Sequence, residues 1–348
     1  MSSLIDWSVA ERTARSLSPA PPAVTPAEAT ATVVELRSAS ERAAQQVAEL
    51  TRLTEPAVTA QTLVVDRAGW VSANVASMST VMDPLADRLI ANRPPSKLAA
   101  AIGGRTTGAQ AGAILAFLSG KVLGQFEFFS VERGQLLLVA PNIVSVERAL
   151  KVDPADFRLW VCLHEVTHRV QFTAVPWMRQ HMLDEIDALT NALDVDPEAI
   201  LRRLKAAIGE IARTVRGGSD SSGVMAALAP EEARVIMDRI TGFMSLVEGH
   251  AEYVMNAVDA SVIPSQASIE RKFAVRRRRG GNPLDRLLRS LLGMDAKTRQ
   301  YTQGSQFVRS VVDKVGLDGF NAVWTSPQTL PSKAEITDPD AWVSRVHG

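Results

Sequence analysis

"LWVCLHEVTHRVQF", residues Leu159 to Phe172, decides how this chain is read. It holds two of the five histidines, His164 and His168, four residues apart, with Glu165 directly after the first. On an α-helix, side chains at i and i+4 stand on one face, so both imidazoles can reach a single zinc ion. Glu165 lies about 100° further round, where it can reach a water at the metal without being a ligand. Random order would give about 0.004 His-Glu-x-x-His matches in the chain, so chance is a poor explanation. The competing reading is a helix whose histidines only pack. Phe157, Val161 and Phe172 share the face, which predicts burial, and buried histidines need partners.

Outward from this stretch, Asp153-Pro154 supplies an N-cap and a proline at the first helical position, so the helix is expected from about Pro154 to Thr173. "GQLLLVAPN" (Gly134 to Asn142) reads as the best strand, and as an edge that could pair with an extended peptide. "TLVVDR" (Thr62 to Arg67) is a second strand candidate. Helical spacing covers "AEATATVVELRSASERAAQQVAELTRL", "AGWVSANVASMSTVMDPL" and "TTGAQAGAILAFLSGKVLGQ", the last apolar nearly all round and so expected to be buried. Further helices are expected from Pro176, over "DPEAILRRLKAAIGEIARTV", and from Pro230 to Val258. Residues 216–223 read as a loop that could lid a cleft. The expected architecture is mainly α, an α+β chain with few strands. An N-terminal helix and linker span 1–26, a catalytic domain spans 27–330 with two subdomains possible, and a tail spans 331–348.

Charge excludes some functions. Lys plus Arg equals Asp plus Glu at 38 each, so no global field favours nucleic acid or an anionic membrane. A lone cysteine, Cys162, permits no intrachain disulfide. The first residues lack a basic then apolar signal-peptide pattern, and no apolar run approaches the ~20 residues of a membrane span. A cytoplasmic protein is the expectation.

A catalytic zinc needs a third protein ligand and one open position. His347 lies in the tail and His181 on a segment restarted by Pro176. "VEGHAEY" offers Glu248 and Glu252, spaced i, i+4, 80 residues after His168. In such a pair one glutamate can ligate and the other can hold a ligating histidine in its tautomer. His250 competes: it and Glu248 flank the apolar stripe of Phe243, Val247, Ala251, Val254 and Val258 about 200° apart, so only one can face a given metal. Periodicity does not choose between them.

With strand, HEVTH helix and EGHAE helix in hand, the chain resembles the gluzincins, zinc peptidases with a downstream Glu-x-x-x-Asp/Glu. It resembles more closely a family of bacterial zincin-like hydrolases associated with coenzyme F-420 (deazaflavin) biosynthesis. The resemblance runs from Asp6-Trp7 through "LLLVAPN", "FRLWVCLHEVTHRVQFTAVPW" and "SLVEGHAE" to "GNPLDRLLRSLLGMDAKTRQY" and "GSQFVRSVV". It implies a zincin-like fold, a small sheet beside the motif helix, and zinc on His164, His168 and Glu248 with Glu165 as catalytic base. Glu252 stands where gluzincins more often carry Asp. The implied substrate is a peptide or amide. The other class is a zinc-binding accessory protein of the same pathway that performs no hydrolysis. A structural zinc would have four protein ligands and no use for Glu165, which favours chemistry.

Three further features bear on function. Cys162 reads as a buried apolar thiol. Arg276 to Arg279 read as a solvated loop. Of the two tyrosines, Tyr301 is the first candidate to donate to a developing oxyanion, because Tyr253 points off the Glu248/Glu252 face.

Overall fold

The structure is a computed structural model that describes residues 4–91, 96–192, 230–279 and 294–348. It is mostly helical with a small three-stranded mixed sheet, as the sequence predicts. The chain divides into two compact units, Met1–Val175 with Val254–Arg277, and Pro176–Tyr253 with Arg278–Gly348.

In the first unit, α1 (Trp7–Leu17) is capped by Asp6, whose carboxylate accepts from the Val9 N–H. Helix α2 (Pro26–Thr51) opens with a reciprocal Thr25/Glu28 capping box, which satisfies two amide donors at its start. Then come β1 (Gln61–Val65), α3 (Arg67–Ala91), α4 (Lys97–Ser119), β2 (Gly124–Glu127), β3 (Gln135–Val139), α5 (Ala140–Leu150) and α6 (Pro154–Ala174). The sheet order is β1-β3-β2, with β1 parallel to β3 and β2 antiparallel.

Several expectations are corrected here. β3, expected at an edge, is the central strand, with Leu136 to Val139 at most 1 % exposed. A continuous apolar run suits a strand covered on both faces. The end of the run "GKVLGQ", expected to be helical, enters β2, and the strand expected to reach Asn142 gives way at Ala140 to α5, which has a proline in its first turn. Helix α4 is buried on one side only: Leu115 and Ala116 are buried while Ile102 is 60 % and Ile114 40 % exposed.

Helix α6 carries the motif and is tied down by buried charge. Arg169 grips the Glu55 carboxylate with two hydrogen bonds of 3.0 Å and adds Thr62 Oγ1 of β1 at 3.0 Å. Arg158 makes two bonds to Glu147 of α5, at 3.0 and 2.7 Å, and pairs with Glu35 of α2. The N-cap Asp153 accepts from the Asp156 N–H, as expected. Helix α9 (Gln266–Arg279) sets Phe273 edge-on to Trp160 at 5.2 Å. Arg276 to Arg279 therefore close a helix; they are not the loop expected.

In the second unit, α7 (Trp177–Ala192) and most of α8 (Glu231–Ala257) are joined by Arg239, which binds the Glu185 carboxylate at 2.8 and 2.9 Å. Helix α10 (Met294–Phe320) brings Phe307, Val308 and Val311 to the core. The terminal segment folds as α11 (Lys333–Thr337) and α12 (Pro339–His347), with Trp342 fully buried and its indole N–H on the Thr329 carbonyl. The helix expected from "DPEAILRRLKAAIGEIARTV" and the loop 216–223 lie outside the described residues.

Candidate metal centre

Helix α6 presents His164 and His168 side by side, both partly buried, with their Nε2 atoms 3.2 Å apart and the rings nearly perpendicular. The flanking face is buried as expected, with Phe157 at 0 %, Val161 at 3 % and Phe172 at 9 % exposure. His168 Nδ1 lies 3.0 Å from Oε1 of Gln171, a fully buried residue one turn further along. A carbonyl oxygen only accepts, so this contact puts the His168 proton on Nδ1 and turns the Nε2 lone pair toward His164. Two donors on a tetrahedral zinc at 2.0–2.1 Å stand about 3.3 Å apart, close to the observed spacing. The pair fits zinc in donor type and distance.

Glu165 is buried on the flank of the same helix, 8 % exposed. β2 comes against it through Gly124. A Cβ added to Gly124 would fall 2.6 Å from the Glu165 Cγ and 3.0 Å from its Oε1. Only a residue without a side chain admits this strand so close to that carboxylate. Behind the motif, Phe126 and Phe128 of the β2 segment pack on Phe172, with ring centroids 5.8 and 4.3 Å away. Cys162 is fully buried beside the Leu36 carbonyl, and burial pushes its thiol far up, so the expected inert thiol is what the fold holds.

In the second unit, Glu248 and His250 are both buried, at 5 and 1 % exposure, with Glu252 partly buried on the same helix. His250 packs against the rings of Phe320 and Trp324, with centroids 5.5 and 5.2 Å away. Between Glu248 and His250, Gly249 crosses Gly304 of α10 backbone to backbone. A Cβ on Gly249 would sit 2.1 Å from the Gly304 carbonyl carbon. His181 lies edge-on to Trp177 and Phe243, and burial lowers its pKa, favouring the neutral ring. His347 contacts Trp342 and the Gly319 carbonyl. Tyr301 falls within α10, but its side chain lies outside the described residues.

Sequence reasoning missed Gln171 and Gly124. Gln171 was visible as i+3 from His168, a spacing that places it one turn away on the same side. Gly124 had no such signal, because β2 itself was read as helix.

The profile of one family, described as zincin-like metallopeptidase, matches residues 5–343. The chain belongs to the zincin-like metallopeptidase family. This zincin-like protein is also similar to a crystal structure from Chloroflexus aurantiacus described as a proposed hydrolase with a novel fold. The identity is 29 %, 98 % of each chain is covered, and the TM-score is 0.71. No curated protein matches it. Membership carries zinc hydrolase chemistry as the coarse reading of the site. Among the described residues, no helix is long and apolar enough to cross a membrane.

Proposed function

We propose that the protein is a zinc-dependent hydrolase of peptide or amide bonds, restricted in specificity and acting in the cytoplasm. His164, His168 and Glu248 are the proposed ligands. The observation that carries the reading is the facing Nε2 pair, with Glu165 between the two histidines in sequence and buried beside them. Glu248 is preferred to His250 because the latter is engaged with Phe320 and Trp324. Zinc, when bound, supplies Lewis acidity that polarises a carbonyl and makes water able to lose a proton near neutral pH.

The chain's own groups do the rest. Glu165 takes a proton from the attacking water on its carboxylate and passes it to the leaving amine as the C–N bond breaks. Its burial beside β2 excludes bulk water and holds the carboxylate in one place. Glu252 is assigned to orienting His164, since Gln171 already meets His168. Tyr301 remains the proposed donor to the oxyanion.

A peptide-library digest with wild type and Glu165→Gln, both zinc-loaded, tests this. The variant should keep fold and zinc and lose about 10²–10⁴-fold in turnover, the usual scale for a general base. Equal cleavage by both refutes Glu165 as the base. Zinc retention with no cleavage by either favours the accessory role in deazaflavin coenzyme biosynthesis.

A further inference from the structure

We infer that Gln171 is a positioning residue for the metal centre: its carboxamide oxygen fixes the tautomer and ring angle of His168. The inference rests on the zinc reading above. The geometry comes first. Gln171 is fully buried, and its Oε1 meets His168 Nδ1 at 3.0 Å along one turn of a single helix, so both partners are held by the same rigid backbone. A neutral imidazole carries one N–H. With that proton on Nδ1 and donated to Gln171, Nε2 is left as the basic nitrogen, and it is Nε2 that faces His164 Nε2 at 3.2 Å.

The chemistry of glutamine at this place is informative. A ligating histidine usually gives its second N–H to a carboxylate, a backbone carbonyl or water, and that outer partner sets both ring direction and ligand basicity. A carboxamide accepts the same bond without adding a negative charge. His168 is then oriented by an uncharged partner, and the centre keeps one negative charge fewer than a carboxylate there would give it. A buried glutamine that served only packing would be replaceable by an apolar side chain of the same length. One that serves His168 would not.

The test uses the full chain with Gln171→Met and Gln171→Glu, and His168→Ala as a control. Zinc affinity is measured by competition with a chromophoric chelator. The visible spectrum of the cobalt(II)-substituted protein and the melting of the metal-free protein are read alongside. Gln171→Met, close in size but without an acceptor, should weaken zinc about 10–100-fold. Gln171→Glu restores the acceptor with a charge, and should bind zinc at least as tightly as wild type with a shifted cobalt band. Wild-type affinity and an unmoved band in both variants overturn the inference. So does an equal loss in both, which marks Gln171 as packing alone. If Gln171→Met fails to fold, Gln171→Glu decides by itself: weaker zinc or an unmoved band overturns the inference. Failure of the zinc reading looks different, because then His168→Ala binds like wild type or wild type binds nothing.

Discussion

Helix α6 carries two pairs of nitrogenous side chains with opposite fates. On one side Arg158 and Arg169 are each seized by carboxylates at 2.7–3.0 Å, from α5 and from Glu55. On the other, His164 and His168 face each other at 3.2 Å. The arginines cannot be neutralised at any useful pH, so the fold had to bring them partners. The histidines turn their Nε2 atoms toward each other. One side fixes the helix in the fold and the other is the proposed metal face. The two sides should therefore fail differently when mutated, one in metal binding and one in stability.

The sharpest break comes from the histidine side. Purified protein should hold about one zinc per chain, and His164→Ala or His168→Ala should reduce that to background with little change in the fold. Elemental analysis decides it, and zinc at wild-type level in either variant would remove the site from this face. Next in size is the third donor. Glu248→Ala should weaken zinc by more than the ~10–100-fold typical of an outer partner. His250→Ala should leave zinc affinity alone but cost about 2–4 kcal/mol of stability, because it empties the space against Phe320 and Trp324. Reversed behaviour of the two variants would overturn the choice of Glu248.

A smaller effect is expected at the flank. Gly124→Ala puts a methyl group 2.6 Å from the Glu165 Cγ, so the carboxylate or β2 must shift. Displacement by about 1 Å near the reacting atoms can cost up to ~10²-fold in rate. We expect a loss of about 10–100-fold in turnover with zinc content unchanged. Unchanged turnover would show that Glu165 can move without penalty and does not need the strand beside it.

How much of this was legible in sequence follows the same division. The motif side was readable because a single helix supplies both donors at fixed spacing, so no tertiary contact had to be guessed. The cap at Asp153 and the helix start at Pro154 were readable for the same local reason. The arginine side was not, because Glu35, Glu55 and Glu147 come from separate segments and nothing in their local sequence marks them as partners. β2 was hidden: it is four residues long and follows a helix with one loop turn between, so its apolar residues continued the helical count. The boundary between β3 and α5 failed because the apolar run crosses it, and only the proline at the second helical position marks the change. Glu248 against His250 could not be settled by periodicity, since both flank one stripe. The aromatic neighbours of His250 come from a segment some 70 residues away.

The smallest effect belongs to the arginine side, and it depends on pH. Burial pushes the Glu55 carboxyl up, but the hydrogen bonds from Arg169, Thr59 and Thr173 and the guanidinium charge outweigh it. The result is a carboxyl held below its usual value of 4.5. A depressed carboxyl binds its proton less readily folded than unfolded, so its stabilisation is complete above the usual value and is lost as pH falls through the lowered one. Glu55→Gln keeps the size and one acceptor oxygen, but puts an NH2 in place of the other and removes the charge opposite Arg169. At neutral pH the variant should be less stable by on the order of 1 kcal/mol, reduced from the fully buried case because Glu55 is partly open to solvent. As pH falls through the lowered value, wild type becomes protonated at Glu55 and the gap should close. Urea unfolding of both proteins from about pH 7 to about pH 3 reads the gap directly. A gap that stays constant across that range would mean that the Glu55 charge contributes nothing to holding α6. Zinc affinity should not differ between the two proteins at neutral pH, because the clamp and the donor pair lie on different sides of the helix.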